Sequence, residues 1–228
     1  ALLVTGTDTD SGKTVLTAAL IAYWQRYCWA HRLGVCKPVQ SGLGDREFYS
    51  RLFDLDQTPE QLNPLWYQTP VAPPLAAALE GKRVDVAKAW RVFSQLEAER
   101  DWVLVEGAGG LGSPVAEAMT VADMASQWRL PAVLVVPVKL GAIAAAVANV
   151  ALAEQKKVKL LGIVVNCTHP HTQGQIDSWA PIEMIESLTR IPVLGTLPYL
   201  KQVKDLDALA AAAAQLDLER LMPKPFWA

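Results

Sequence analysis

Short apolar runs recur along the chain at Leu2 to Thr5, Leu33 to Lys37, Trp102 to Glu106, Ala132 to Val136, Leu160 to Asn166 and Pro192 to Leu197. Each has the length of a strand covered on both faces. Between most of them lie stretches of helix-forming composition and length: Lys13 to Tyr27, Val84 to Glu99, Gly141 to Lys156, Pro181 to Thr189 and Asp205 to Leu216. This alternation predicts crossover units in a mostly parallel sheet, and so a doubly wound α/β fold with helices on both faces. Residues 57–75, punctuated by Pro59, Pro64, Pro70, Pro73 and Pro74, read as irregular chain between the second and third strands and not as a linker. With no internal repeat, one α/β domain over residues 1–228 is expected. The stretch from Gly141 to Ala153 is nearly apolar all round, which predicts burial on more than one side, either against a second copy of the chain or inside one subunit.

An open parallel sheet binds ligands at the carboxyl ends of its strands, so chemistry is expected where an apolar run gives way to polar residues. The first run exits into the loop Gly6 to Thr14, the second into KPVQSG, the third into EGAGG and the fifth into NCTHP.

The first exit reads VTGTDTDSGKT. A phosphate-binding loop has the pattern G-x-x-x-x-G-K-[ST]; Gly12, Lys13 and Thr14 meet its end, but Thr7 stands where the first glycine belongs and Gly6 comes one place early. Such a loop, following a strand and opening a helix, aims backbone N–H groups and the positive end of the helix at phosphate oxygens. Lys13 would bridge phosphates and the Thr14 hydroxyl would ligate Mg²⁺. The alternative is a plain strand-to-helix turn capped by Asp10 or Ser11.

The third exit, Gly107-Ala108-Gly109-Gly110-Leu111-Gly112, fits G-x-G-x-x-G and suggests an NAD-dependent oxidoreductase. Pro114 follows at once, and no acid about 20 positions on closes a second strand, since Asp123 falls in the helical stretch Val121 to Trp128. A different use attaches to Glu106. A carboxylate ending a strand beside a phosphate loop is where an ATPase needs a metal ligand, and magnesium accepts one or two carboxylates with phosphate oxygens and water.

A net charge of −2 offers no electrostatic footprint for a polyanion, so nucleic acid is not an expected partner. Cys28, Cys36 and Cys167 lack any framework spacing and fit a reducing compartment, here the cytoplasm. No basic leader precedes an apolar stretch, so no signal peptide is expected. The apolar region 130–153 is broken by Pro131, Pro137, Lys139 and Asn149 and does not make a membrane span. Cys167, His169 and His171 lack a fourth zinc ligand and the usual spacing.

GTDTDSGKT, KPVQSG and VEGAGG, in that order and each at a strand end, resemble the dethiobiotin synthetases of biotin biosynthesis from Val4 to about Asp205. The displaced Gly6 is that family's own form of the loop. The resemblance implies an ATP- and Mg²⁺-dependent ligase that joins CO₂ to 7,8-diaminopelargonate through a carbamate and a carbamic-phosphoric anhydride, giving dethiobiotin, ADP and phosphate. It carries over Lys37, Lys13 and Thr9 as catalytic residues, and Ser41, Thr9 and Lys37 as groups on the carbamate or diamine. Thr9 and Ser41 could instead cap local backbone. Thr14, Asp45 and Glu106 map to the metal ligands, although Asp45 could be only the N-cap of a following helix, with Asp54 and Asp56 as fallbacks.

Nucleotide contacts fall by the same resemblance on Asp10, Ser11, Gly12, Lys13, Thr14, Val15, Asp45, Glu106, Gly107, Ala108 and Gly109. Asn166, Cys167, Pro198, Tyr199 and Leu200 would serve the adenine and Asp205 the ribose. A homodimer is implied too. Two departures stand out: Asp10 is one methylene shorter than the Glu common at its place, and Ala144 and Ala145 replace polar residues near the substrate site and dimer interface. A partitioning-type ATPase would need a signature lysine where Asp8 stands; a regulatory domain of the same ancestry is the nearer rival.

Overall fold

The computed structural model describes residues 1–223, and the last five residues of the expected domain, 224–228, lie outside the described residues. In chain order the elements are β1 Leu2–Gly6, α1 Lys13–Tyr27, β2 Leu33–Cys36, β3 Val39–Ser41, α2 Asp45–Leu52, α3 Pro59–Leu62, β4 Leu65–Tyr67, α4 Pro73–Leu79, α5 Val86–Glu99 and β5 Trp102–Gly110. There follow β6 Pro114–Ala116, β7 Met119–Thr120, α6 Val121–Gln127, β8 Ala132–Pro137, α7 Ala142–Gln155, β9 Leu160–Asn166, α8 Gln173–Trp179, α9 Ile182–Thr189, β10 Val193–Leu197, α10 Leu206–Ala213 and α11 Leu218–Leu221.

Six strands form a parallel sheet in the order β10-β9-β8-β1-β5-β2. The six expected runs are these six strands. Because strand side chains alternate between faces, each run has to be apolar at every position if both faces are covered. The packing follows that rule. Leu2, Val4, Trp102, Leu104, Val133, Val135 and Val164 face α1 and α10, while Leu3, Val103, Val105, Leu134, Val136, Ile163 and Val165 face the layer containing α5, α6, α7 and α9. α1, between the sheet and α10, is buried over most of its circumference.

Three expectations change. The proline-rich stretch 57–75 is not irregular throughout: Thr58 caps α3, with Pro59 in its first turn where a missing N–H costs nothing, and β4 pairs in parallel with β3. The strand of the third apolar run, β5, continues to Gly110, well past Glu106. And α7 buries only the stripe Ala142, Ala146, Val150 and Ala153; Ala144 and Ala148 are exposed, as is Leu140 just before it. The reading of α7 as enclosed within one subunit is therefore set aside. Among the described residues, no helix is long and apolar enough to cross a membrane.

Candidate functional site

The sheet order reverses at β1, which has β5 from one direction of winding and β8 from the other, and the crevice there lies at the carboxyl ends of the strands. A cleft of about 970 Å³ occupies it, lined from all four polar exits foreseen in the sequence.

The first loop turns from β1 into α1 through Gly12, which is left-handed at φ 95° and gives the helix no side-chain cap. Neither Asp10 nor Ser11 is the N-cap, contrary to the capped turn that was the alternative expectation. Among the described residues nothing but backbone serves this helix start, where the Gly12 carbonyl accepts from Val15 and Leu16. The N–H groups ahead of them face the cleft end of the helix, an arrangement suited to an anion. The displaced Gly6 has a packing reason. A Cβ there would lie 2.0 Å from Ser11 Oγ, so the longer loop folds its own serine over the strand end. Ser11 is thus buried beneath the loop. Thr9, Asp10, Gly12, Lys13, Thr14 and Val15 line the cleft.

β2 and the connection after it carry Lys37 inward at 5% exposure, and β5 carries Glu106 at 0%. The Lys37 ammonium donates to Glu106 Oε1 at 2.7 Å and to Asp45 Oδ2. Thr14 Oγ1 donates to Asp45 Oδ1 at 3.0 Å and to Glu106 Oε1 at 3.2 Å. Asp45 is not the cap of α2. Gly44 holds that place, with Glu47 reaching back to its N–H at 2.9 Å, so the Asp45 carboxylate is free to enter the cleft. Asp54 and Asp56 are exposed beyond the C-terminal end of that helix and do not line the cleft; Asp56 pairs with Arg100 at 3.4 Å.

The charges offset one another. Burial disfavours the Lys37 ammonium, but Glu106 and Asp45 outweigh it and raise its pKa. Burial likewise opposes the Asp45 carboxylate, yet the Lys37 and Thr14 contacts leave its pKa below the ordinary value. For Lys13 burial wins and its pKa falls, with Glu106 working against the shift and Lys37 adding to it. Its ammonium donates to the Asp8 carbonyl at 3.0 Å. Thr14, Asp45 and Glu106 make an oxygen-only donor set with two carboxylates, which fits magnesium.

Ser41 lines the cleft, and its buried hydroxyl has no partner among the described residues, so it does not cap local backbone. Thr9 lines it as well, while its own N–H donates to Asp8 Oδ1 at 2.7 Å. Ala108 and Gly109 lie along the cleft, but Gly107 packs against Val121 behind the strand. No helix opens at the G-x-G-x-x-G segment, since β5 continues and the β6–β7 hairpin follows, so the dinucleotide reading fails on geometry. Asn166, Cys167, Pro198, Tyr199 and Leu200 share one rim. The Asn166 amide donates to the Ser11 carbonyl at 2.9 Å, tying that rim to the phosphate loop. Asp205 does not join them; it is the N-cap of α10, accepting from Ala208 N–H at 3.0 Å.

Three contributors escaped the sequence. Buried Gln40 accepts from Arg46 N–H at 3.0 Å and so fastens the KPVQSG loop to α2. Ser113 accepts from Gly110 N–H at 2.9 Å and lines the cleft. The phenol of Tyr49 donates to Glu106 Oε2. The spacing of Tyr49 from Asp45, four residues on one helix, was the only available signal. Cys36 is no nucleophile, since burial pushes its thiol up to about 12.

Comparison with known proteins separates fold from family. Cell-division MinD proteins of Aquifex aeolicus and Pyrococcus furiosus superpose with a TM-score of 0.54, each at 14% identity, covering 96% and 97% of this chain and 94% and 99% of theirs. At that identity they bear on architecture alone, a parallel α/β sheet flanked by helices. An AAA domain family profile matches residues 1–206. An ATP-dependent dethiobiotin synthetase of Gloeothece citriformis is 56% identical over 98% of this chain and 99% of its own length. Those of a Synechocystis species and Bacillus velezensis are 47% and 32% identical, covering 96% and 97% of this chain and 94% and 96% of theirs. With kinship of that extent, the chain belongs to the ATP-dependent dethiobiotin synthetases, ligases of biotin biosynthesis.

Proposed function

We propose that this chain joins CO₂ to 7,8-diaminopelargonate at the expense of ATP and closes the ureido ring of dethiobiotin. The reading rests on one observation: two buried ammonium groups, two carboxylates and a hydroxyl from four distant segments meet beside an uncapped helix N-terminus. One amine attacks CO₂ and loses a proton, giving a carbamate. A carbamate oxygen takes the γ-phosphoryl group as ADP departs, the second amine attacks the carbonyl carbon and gives up a proton, and phosphate leaves. ATP with Mg²⁺ supplies the phosphoryl group that turns a carbamate oxygen into a leaving group.

The protein needs no nucleophile of its own for this sequence; its part is to position and to neutralise charge. The α1 N-terminus and Lys13 bind phosphate oxygens. Lys37 and Lys13 stand on either side of the transferring group and stabilise the charge that develops there. Thr14, Asp45 and Glu106 would hold Mg²⁺, and Ser41 and Thr9 orient the carbamate and diamine. Pro198, Tyr199, Leu200, Asn166 and Cys167 serve the adenine end. The exposed face of α7 would be covered by a second copy in a homodimer, and the single domain would work in the cytoplasm.

The test is mass-spectrometric detection of dethiobiotin from purified protein with the diamine, bicarbonate, Mg²⁺ and ATP, omitting each in turn. Product that depends on all four supports the reading. ADP release without the diamine and without product would transfer the chain to a regulatory or partitioning ATPase. Lys37→Gln should abolish turnover while ADP binding, followed by calorimetry, stays largely intact; equal activity would remove Lys37 from its role.

A further inference from the structure

We propose that Tyr49 is a positioning residue that acts through Glu106: its buried hydroxyl locks the carboxylate so that the opposite oxygen is kept for the metal site. The inference rests on the function proposed above. Glu106 has no solvent exposure, and its two oxygens have different partners. Oε1 takes Lys37 at 2.7 Å and Thr14 at 3.2 Å, whereas Oε2 takes the Tyr49 phenol. The last torsion of a glutamate is broad, so nothing intrinsic to the side chain holds the carboxylate plane at the angle that aims one oxygen into the cleft. A buried acceptor oxygen left without a donor is also costly. The phenol answers both needs.

The placement of that phenol is set by packing. Asp45 and Tyr49 are four residues apart on α2 and therefore share a face of the helix. From that face Asp45 reaches Thr14 and Lys37, and one turn on Tyr49 reaches Glu106. Both acids of the metal site are thereby referred to a single helix. The Tyr49 ring has 0% exposure, lies in the core beneath the site and meets Phe48 edge to face at 5.6 Å. A phenylalanine would fill the same space, so packing alone does not account for the hydroxyl.

Tyr49→Phe keeps the ring and removes only the donor. Mg²⁺-dependent binding of ADP is measured by titration calorimetry, together with the Mg²⁺ dependence of turnover. The variant should bind ADP without metal as the parent does, lose about tenfold in the affinity that Mg²⁺ adds, and need correspondingly more Mg²⁺ for half-maximal turnover, with kcat largely recovered at saturating metal. In a Glu106→Gln background, the same change should add nothing to the loss of Mg²⁺-dependent binding. A lower melting temperature with unchanged Mg²⁺ dependence would make the phenol a packing residue and overturn the inference alone. If the parent protein itself showed no Mg²⁺-dependent ADP binding, the proposed function would fall and this role with it.

Discussion

Two glycine-rich segments leave neighbouring strands, and the chain treats them in opposite ways. β1 and β5 run in parallel, with Val4 beside Glu106. After β1 the chain turns at Gly12 straight into a long helix that no side chain caps. β5 itself runs on to Gly110, with Gly109 left-handed at φ 66°, and the chain then makes the β6–β7 hairpin and only then enters α6, whose start is closed by a capping box between Thr120 and Asp123. The contrast shows what a glycine pattern is worth. Glycines permit a close approach, but it is the open helix start behind them that makes an anion site; where the helix satisfies its own N–H groups, similar glycines serve strand packing and cleft shape.

Single alanine substitutions break this contrast most directly. Gly12→Ala should have the largest effect, because a Cβ there would lie 1.8 Å from Asn166 Nδ2 and the residue is at φ 95°. The left-handed conformation alone costs about 1–2 kcal/mol for a residue with a Cβ. Displacing Asn166 also frees the loop from its anchor on Ser11, so ADP binding should vanish in calorimetry while the melting temperature falls. Retained binding would mean that the loop tolerates another path.

The second segment should rank its glycines against its motif. Gly110, an x position of G-x-G-x-x-G, would place a Cβ 2.8 Å from the Thr7 carbonyl and 3.0 Å from that of Gly6, and backbone cannot swing aside. Gly110→Ala should cost about 1–3 kcal/mol in urea unfolding, as overpacking does. Gly112, the motif's last glycine, would meet nothing closer than Leu152 Cδ2 at 3.5 Å, so Gly112→Ala should stay within about 0.5 kcal/mol of the parent. The reverse order would mean that close approach of the two strands does not decide which glycine the segment needs.

These cases show how far the sequence could be read. The six sheet strands and six of the helices were legible because burial on both faces forces continuous apolar runs, and because long periodic stretches have little else to be. The short elements were not. β3 and β4 are three residues each and exist through one another, and α3 depends on Thr58 as a cap in a stretch whose prolines suggest irregular chain. The site was legible as a set of strand exits, and Lys13, Thr14, Lys37, Asp45 and Glu106 do converge. Residues such as Gln40, Ser113 and Tyr49 were hidden: Gln40 and Ser113 act on backbone N–H groups of their own loops, which side-chain pattern does not report, and Tyr49 acts on a distant strand through a single hydroxyl. Asp205 misled for the converse reason: an aspartate before a helix serves equally as a cap.

The closed helix start of the second segment offers the finest test of the comparison. Asp123 accepts from Thr120 N–H at 2.9 Å and from Thr120 Oγ1 at 2.6 Å, and its other oxygen meets Lys156 at 2.7 Å. The Lys156 contact, then the two Thr120 bonds, hold its pKa down to about 2. An unfolded aspartate titrates near ~3.9. Because the folded value is the lower one, the carboxylate stabilises the fold above about pH 4, and that contribution is lost as the pH falls toward 2. Asp123→Asn should therefore cost roughly 0.5–1 kcal/mol at neutral pH, the scale of a charge at a helix start. The gap in urea midpoint between parent and variant should narrow steadily from pH 5 to pH 3. ADP binding should not move, because this N-terminus is stabilised by its own side chains and the one behind Gly12 is not. A variant that lost ADP affinity would show that the two helix starts are coupled, and the division of labour drawn between the two glycine segments would fail.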